Sequence, residues 1–195
     1  MSLARSFKKL DSAVQCAILI VVFCAVSCSP KPPLPVYDPV PEFSLIDSHG
    51  QVFSSKELVG KVWVADFIYT HCPGPCPRMT SEMHKLQQQM ANRDDVRLVS
   101  FTVDPDRDTP EVLTEFAHRF GGPTPQWFFL TGKPATLHVL ARDAFHVGDL
   151  IGVMDHSTKF ILVDKHARIR GYYSTFDTEG LPKLLEDTQR LRKES

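Results

Sequence analysis

Two cysteines separated by three residues form the part of the sequence best suited to chemistry. Cys72 and Cys76 flank Pro73-Gly74-Pro75 within the run from Tyr69 to Pro77. The proline and glycine content of this run favours a loop over a helix or a strand. Two thiols on a loop can close into a disulfide, relay electrons, or hold a soft metal ion as paired thiolates.

The three-residue spacing does not by itself select one of these chemistries. Thioredoxin-type redox motifs place two residues between their cysteines. The larger ring formed here still permits a disulfide, and it also lets two sulfur atoms converge on one ion. Thiolates suit both Cu(I) and Zn²⁺, so a third ligand is needed to distinguish these metals.

The N-terminal 28 residues predict export from the cytoplasm. Basic residues precede an apolar run from Ala13 to Cys28, which is the arrangement of a signal segment. The small residues before Cys28 resemble a bacterial lipoprotein cleavage box, although Ala25 stands where leucine is usual. We expect lipidation at Cys28 and a membrane-anchored domain on the extracytoplasmic face of the cell envelope. An uncleaved membrane anchor and simple secretion are the alternatives.

The cysteine distribution makes Cys72 and Cys76 the only thiols of the mature domain. The chain has five cysteines, and the other three belong to the leader. The domain lies outside the cytoplasm in every alternative, where disulfides persist. A structural disulfide would more often bridge distant elements, so a pair this close indicates function.

Composition predicts three consecutive parts. Residues 1–28 are the leader or membrane anchor, residues 29–41 a proline-rich tether, and residues 42–195 a single domain with an adequate core. The formal net charge is −1 and no basic block is present. This charge distribution argues against nucleic acid as a partner.

Alternating strands and helices must position the cysteine loop. The apolar stretch 62–69 predicts a central strand that ends at the loop, and apolar residues at helical spacing follow it. The order of the remaining segments predicts an α/β, thioredoxin-like fold with a central mixed sheet, flanking helices and an N-terminal β-hairpin extension. Predicted strands span 43–46, 51–53, 62–69, 96–103, 127–130, 159–163 and 169–173; predicted helices span 78–92, 110–120, 134–144 and 181–191; 148–155 is predicted to be a loop.

Eight histidines are available as a third ligand, and His156 is the strongest candidate. It lies just before the strand 159–163, on a loop that a thioredoxin-like topology brings to the cysteine face. His71 adjoins Cys72, but an immediate neighbour in an extended chain points away. Methionine sulfur is also a ligand for Cu(I), although methionines at helical spacing are more typical of a core. The weaker candidates are His49, His84, His118, His138, His146 and His166 among histidines, and Met79, Met83 and Met154 among methionines.

Asp66 interrupts the apolar strand before the cysteines, and two interpretations stay open. It is either a solvated position at a sheet edge or a partly buried proton acceptor for the thiols. Asp155 is a separate candidate, because a carboxylate beside His156 can orient the imidazole ring.

Four segments resemble, in this order, the signature segments of the Sco/SenC family. They are the run Tyr69–Pro77, the run Val103–Glu111, the stretch Phe129–Gly132 and Asp155-His156-Ser157. The resemblance covers about residues 40–191. The Pro-Gly-Pro insert departs from the family, where an acidic residue between the cysteines is more familiar.

The resemblance implies a thioredoxin-like fold and one copper ion bound by Cys72, Cys76 and His156. It also implies that the protein delivers copper to the binuclear copper site of cytochrome c oxidase or reduces the thiols of that site. A Cys72–Cys76 disulfide would remove both sulfur ligands. The alternative is therefore a thiol-disulfide oxidoreductase that uses this pair, and a peroxiredoxin-like peroxidase is a weaker third interpretation.

Overall fold

The computed structural model describes residues 31–147 and 158–194. The chain from Leu34 onward forms one compact unit. Within the described ranges, no helix has the length and apolar character needed to cross a membrane. The leader and the loop predicted over 148–155 lie outside the described residues.

The described residues form one seven-stranded mixed sheet with the strand order β2-β1-β5-β4-β3-β6-β7. The central strands β3, β4 and β5 run parallel, whereas the β1–β2 hairpin and the β6–β7 hairpin are antiparallel additions at the two edges. The predicted α/β class, mixed sheet and N-terminal hairpin are thus confirmed. The strands are β1 Ser44–Asp47, β2 Val52–Ser54, β3 Val62–Ile68, β4 Val96–Thr102, β5 Trp127–Thr131, β6 Lys159–Val163 and β7 Ile169–Ser174.

In the described part of the chain, four α-helices cover the two faces of this sheet, and proline opens three of them. The helices are α1 Pro75–Gln89, α2 Pro110–His118, α3 Pro134–Val139 and α4 Gly180–Lys193. Proline suits the first turn because the N–H it lacks has no intrahelical partner there, and its φ angle is already helical. Helix α3 continues as a π-helical turn, Leu140–Ala144, so the predicted helix 134–144 changes its hydrogen-bond pattern in its second half.

The start of α1 corrects the prediction that all of Tyr69–Pro77 is a loop. The helix begins at Pro75 and includes Cys76. Proline disfavours the interior of a helix, but in the first turn it favours one. The two cysteines therefore differ in their local structure, because Cys72 lies in the connection and Cys76 in a helical turn.

Strand β3 divides the hydrophobic core between the two faces of the sheet. All seven of its residues are buried. Trp63, Ala65 and Phe67 pack with the hairpin and the α3 region on one face. Val62, Val64 and Ile68 pack with α1, α2 and α4 on the other. Both cysteines belong to this second core.

The segment after Leu34, within the predicted tether, lies along the edge of β7. The N–H of Tyr37 donates to the carbonyl of Ile169 at 2.8 Å, and the N–H of Ile169 donates to Asp38 at 3.2 Å. The buried guanidinium of Arg170 donates to the carbonyls of Leu34 and Pro35 at 3.0 and 2.7 Å. These contacts cover the exposed edge that β7 would otherwise present.

Candidate metal-binding and redox site

The candidate site lies where β3 ends and α1 begins. Cys72 belongs to the six-residue connection 69–74, and Cys76 to the first turn of α1. Both are free thiols, with 6% and 2% of their surfaces exposed. Ligand sites of parallel α/β sheets collect at this end of the strands, so the topology places the pair where the sequence predicts it.

The two thiols differ in acidity because their hydrogen-bond roles differ. Burial opposes ionisation of Cys72, but hydrogen bonds from the thiol of Cys76, the N–H groups of Cys76 and Gly74, and the Tyr69 hydroxyl outweigh it. Together they lower the pKa of Cys72 below its usual value. Burial, the proton shared with Cys72 and the nearby negative charges raise the pKa of Cys76 to about 12. Cys72 therefore ionises first.

Asp66 is fully buried in β3, opposite Ser100 of β4. Its interpretation as a solvated edge position is wrong, because β3 is central in the sheet. Burial raises the pKa of Asp66 to about 7, and the nearby Ser100 side chain opposes this rise only in part. Neither carboxylate oxygen has a hydrogen-bond partner among the described residues. The charge of Asp66 also raises the pKa of Cys76, so the two groups influence each other. Proton transfer from the thiols to Asp66 stays a prediction.

A second buried carboxylate, Asp108, holds the cysteine connection and was missed in the sequence. The hydroxyls of Thr70 and Thr102 donate to it at 2.5 and 2.6 Å. The sequence showed this residue only as part of a charged turn. Its position immediately before the Thr109-Pro110 helix start was the available signal, but nothing local revealed a partner 38 residues away.

His156, Asp155 and Met154 lie outside the described residues. The chain re-enters the described structure at Thr158 and begins β6, which runs antiparallel to β3. The start of β6 therefore lies at the end of the sheet from which the cysteine connection leaves.

Among the described alternatives to His156, two methionines are buried in the core and two histidines contact other polar side chains. Met79 and Met83 are core residues with 1% and 0% exposure. His71 is exposed, and its Nδ1 lies 3.0 Å from the Thr70 hydroxyl. His146 pairs with Asp38 at 3.0 Å. Across residues 31–147 and 158–194, no three His, Cys, Asp or Glu side chains are arranged to hold a metal ion.

Comparison with known proteins gives one consistent family. The family model described as SCO1/SenC matches residues 34–191. The SCO1 protein homolog of Bacillus subtilis is 43% identical over 94 residues, which is 48% of this chain and 49% of that protein. The aligned segment thus spans about half the length of this curated relative.

Solved structures align over most of the chain. A SCO1/SenC family lipoprotein from Bacillus anthracis gives a TM-score of 0.74 at 33% identity, covering 83% of this chain and 100% of that one. BsSco, described as a Sco family cytochrome c oxidase assembly protein with a disulfide switch, gives 0.71 at 29% identity, covering 82% and 99%. ScoI of Bradyrhizobium japonicum with copper bound gives 0.65 at 26% identity, covering 79% and 99%.

Proposed function

The chain belongs to the SCO1/SenC family, and we propose that it is a copper-binding metallochaperone whose ligands are Cys72, Cys76 and His156. Copper is its cargo, delivered outside the cytoplasm to the binuclear copper site of a cytochrome c oxidase. The related structures described as copper-bound ScoI and as an oxidase assembly protein support this role.

The observation that carries the proposal is the pair of neighbouring, buried thiols at the end of β3. Thiolate sulfur is a soft ligand that favours Cu(I). Cys72 offers the first thiolate, because its pKa is lowered by the hydrogen bonds it accepts. Cys76 must lose its proton when the metal binds. Copper uptake should therefore release protons and weaken as the pH falls.

Position and composition support His156 as the third ligand. His156 belongs to the run Asp155-His156-Ser157, which resembles a signature segment of the family. It lies two residues before Thr158, where the chain enters the cysteine end of the sheet. A neutral imidazole beside two thiolates gives a site for Cu(I). The same site can also hold Cu(II) if an oxygen ligand is added. We propose Asp155 as the partner that orients the ring.

The location follows from the N-terminal sequence. We propose that Cys28 is lipidated and that the protein is anchored to the outer face of the membrane, as the lipoprotein description of the Bacillus anthracis relative supports. The proposed parts stay 1–28 for the leader, 29–41 for the tether and 42–195 for the domain. Labelling with a radioactive fatty acid should mark the wild type and not Cys28→Ala. An unlabelled wild type would contradict lipidation.

Copper stoichiometry tests the site. The reduced chain starting at Ser29, which contains the compact unit, should bind one copper ion. Cys72→Ala, Cys76→Ala and His156→Ala should each lose stable binding. His71→Ala is the matched control, because it removes a histidine adjacent to Cys72 that we do not assign as a ligand. Tight binding by His156→Ala would show that the ligand assignment is wrong.

The unequal acidity of the thiols supports a second candidate, a thiol-disulfide oxidoreductase. The Cys72 thiolate would attack a target disulfide and form a mixed disulfide, releasing one target thiol. Cys76 would then displace the second target thiol, leaving a reduced target and an oxidised Cys72–Cys76 pair. This reaction does not need His156, so His156→Ala should keep it. Absence of copper binding together with ready cycling of the pair would favour this candidate.

A further inference from the structure

Asp108 ties the connection that carries Cys72 to the neighbouring parallel strand. Its carboxylate is fully buried in the turn before α2. The N–H of Thr70 donates to its two oxygens at 3.1 and 3.4 Å, and the Thr70 hydroxyl donates at 2.5 Å. From the opposite side, the hydroxyl of Thr102, the last residue of β4, donates at 2.6 Å. One side chain therefore joins two elements that are distant in sequence.

We propose that Asp108 is a positioning residue for the Cys72–Cys76 pair. It holds the connection 69–74 in the geometry that lets the two sulfur atoms meet. For the chemistry that the pair performs, this inference rests on the proposed function. For the geometry of the pair, it rests on the contacts of Asp108 alone.

The two cysteines depend on Asp108 to different degrees. Cys76 lies within α1, and its carbonyl accepts a hydrogen bond from the Thr80 hydroxyl at 2.9 Å. Cys72 lies outside the helix, two residues after Thr70. Its N–H donates to the carbonyl of Tyr69 at 3.3 Å, and its sulfur accepts hydrogen bonds from Gly74 and Cys76, so Thr70 and Asp108 hold the chain on the N-terminal side of Cys72. Loosening Thr70 would therefore move Cys72 relative to a fixed Cys76.

Pre-organisation gives this contact its functional consequence. Forming a disulfide and chelating one ion both require the sulfur atoms to be brought together, which costs conformational entropy. A connection that is already held in place has less entropy to lose. Asp108 should therefore favour both the disulfide and the metal complex over the open dithiol.

Aspartate suits this position because its two side-chain oxygens can accept hydrogen bonds from three donor groups. Asparagine can keep part of the arrangement. Its oxygen can face Thr70, while its amide donates to the hydroxyl of Thr102, which can rotate to accept. Asp108→Asn should therefore keep part of the positioning of the cysteine connection, whereas Asp108→Ala should lose it.

The decisive measurement compares Thr70→Val with Thr102→Val in the chain starting at Ser29. Each variant removes one hydroxyl from the same carboxylate with little change in shape, but only Thr70 belongs to the cysteine connection. Thr102→Val also removes the acceptor of the Asp104 N–H, so it loses one more hydrogen bond. It therefore controls for a shift that arises only from lost stability. The readout is the equilibrium between dithiol and disulfide in a glutathione redox buffer, followed by mass spectrometry of alkylated thiols.

We expect Thr70→Val to lower the disulfide formation constant about fivefold, a change of about 20 mV in reduction potential. Thr102→Val should change it less than twofold, because the N–H of Asp108 still donates to the carbonyl of Asp104 at 2.9 Å and holds Asp108 beside Thr70. Asp108→Ala should exceed Thr70→Val, and Asp108→Asn should stay closer to the wild type. Equal shifts in the two valine variants, or no shift in Thr70→Val, would overturn the proposal even if Asp108→Ala failed to fold. Copper is absent from this measurement, so a chain that bound no copper would contradict the proposed function and leave this inference standing.

Discussion

Two fully buried carboxylates lie next to the cysteine connection, and they are held in opposite ways. Asp108 accepts hydrogen bonds from Thr70 and Thr102. Asp66 has no hydrogen-bond partner among the described residues. The same side chain at the same burial is therefore part of the scaffold in one place and a group with a strongly raised pKa in the other.

The difference shows that hydrogen-bond donors decide what a buried carboxylate does. Donors offset the cost of removing charge from water, and a carboxylate without them lowers that cost by holding its proton. Asp108 can thus support geometry, while Asp66 can exchange a proton near neutral pH. The site combines the connection 69–74, which Asp108 holds, with Asp66, a titrating group in the strand that precedes this connection.

The largest expected effect is the loss of stability in Asp108→Ala. The substitution removes the acceptor of the Thr70 N–H, of the half-buried Thr70 hydroxyl and of the buried Thr102 hydroxyl, so we expect a loss of about 5 kcal/mol. Urea unfolding of the chain starting at Ser29 measures it. Asp66→Ala is the matched control, because it removes an equally buried carboxylate that accepts no hydrogen bond from the described residues. Equal losses would show that burial, and not the donors, distinguishes the two positions.

Asp66 should make the stability of the fold depend on pH between about 4 and 7. The folded chain holds the proton of Asp66 more tightly than the unfolded chain, because the pKa rises from 3.8 to about 7. The stabilisation of the fold by this tighter proton binding is therefore fully present below about pH 4 and is lost as the pH rises through 7. The loss amounts to at most about 4 kcal/mol.

Asp66→Asn should abolish this dependence, because asparagine does not titrate. Urea unfolding at pH 5 and pH 8 measures the free energy of unfolding of both chains. Relative to the wild type, the variant should be more stable at pH 8 than at pH 5. A difference between the chains that is the same at both pH values would contradict the raised pKa. Other carboxylates titrate in both chains, so the difference between the chains isolates Asp66.

Asp66→Asn should also change the acidity of one cysteine. The charge of Asp66 contributes to the raised pKa of Cys76, so its removal should lower that pKa. The pH dependence of alkylation, resolved for each cysteine by mass spectrometry, measures it. No change at either cysteine would mean that the charge of Asp66 does not affect the pKa values of the thiols.

The sequence predicted the elements around the site better than the contacts within it. The apolar run of β3, interrupted only by Asp66, and the Thr109-Pro110 start of α2 are local signals, and both elements formed as predicted. Cys76 was placed wrongly because proline has opposite meanings inside a helix and in its first turn. The role of Asp108 depends on Thr70, and this contact exists only after β3 and β4 have paired.

The smallest expected effect separates Asp108 from the helix that follows it. The hydroxyl of Thr109 accepts a hydrogen bond from the N–H of Val112 at 3.4 Å and caps α2. Thr109→Ala should therefore destabilise the fold by about 1 kcal/mol and leave the Cys72–Cys76 disulfide equilibrium unchanged. Urea unfolding and the glutathione titration measure the two quantities. A shift of that equilibrium in Thr109→Ala would mean that the start of α2, rather than the carboxylate of Asp108, positions the cysteine connection.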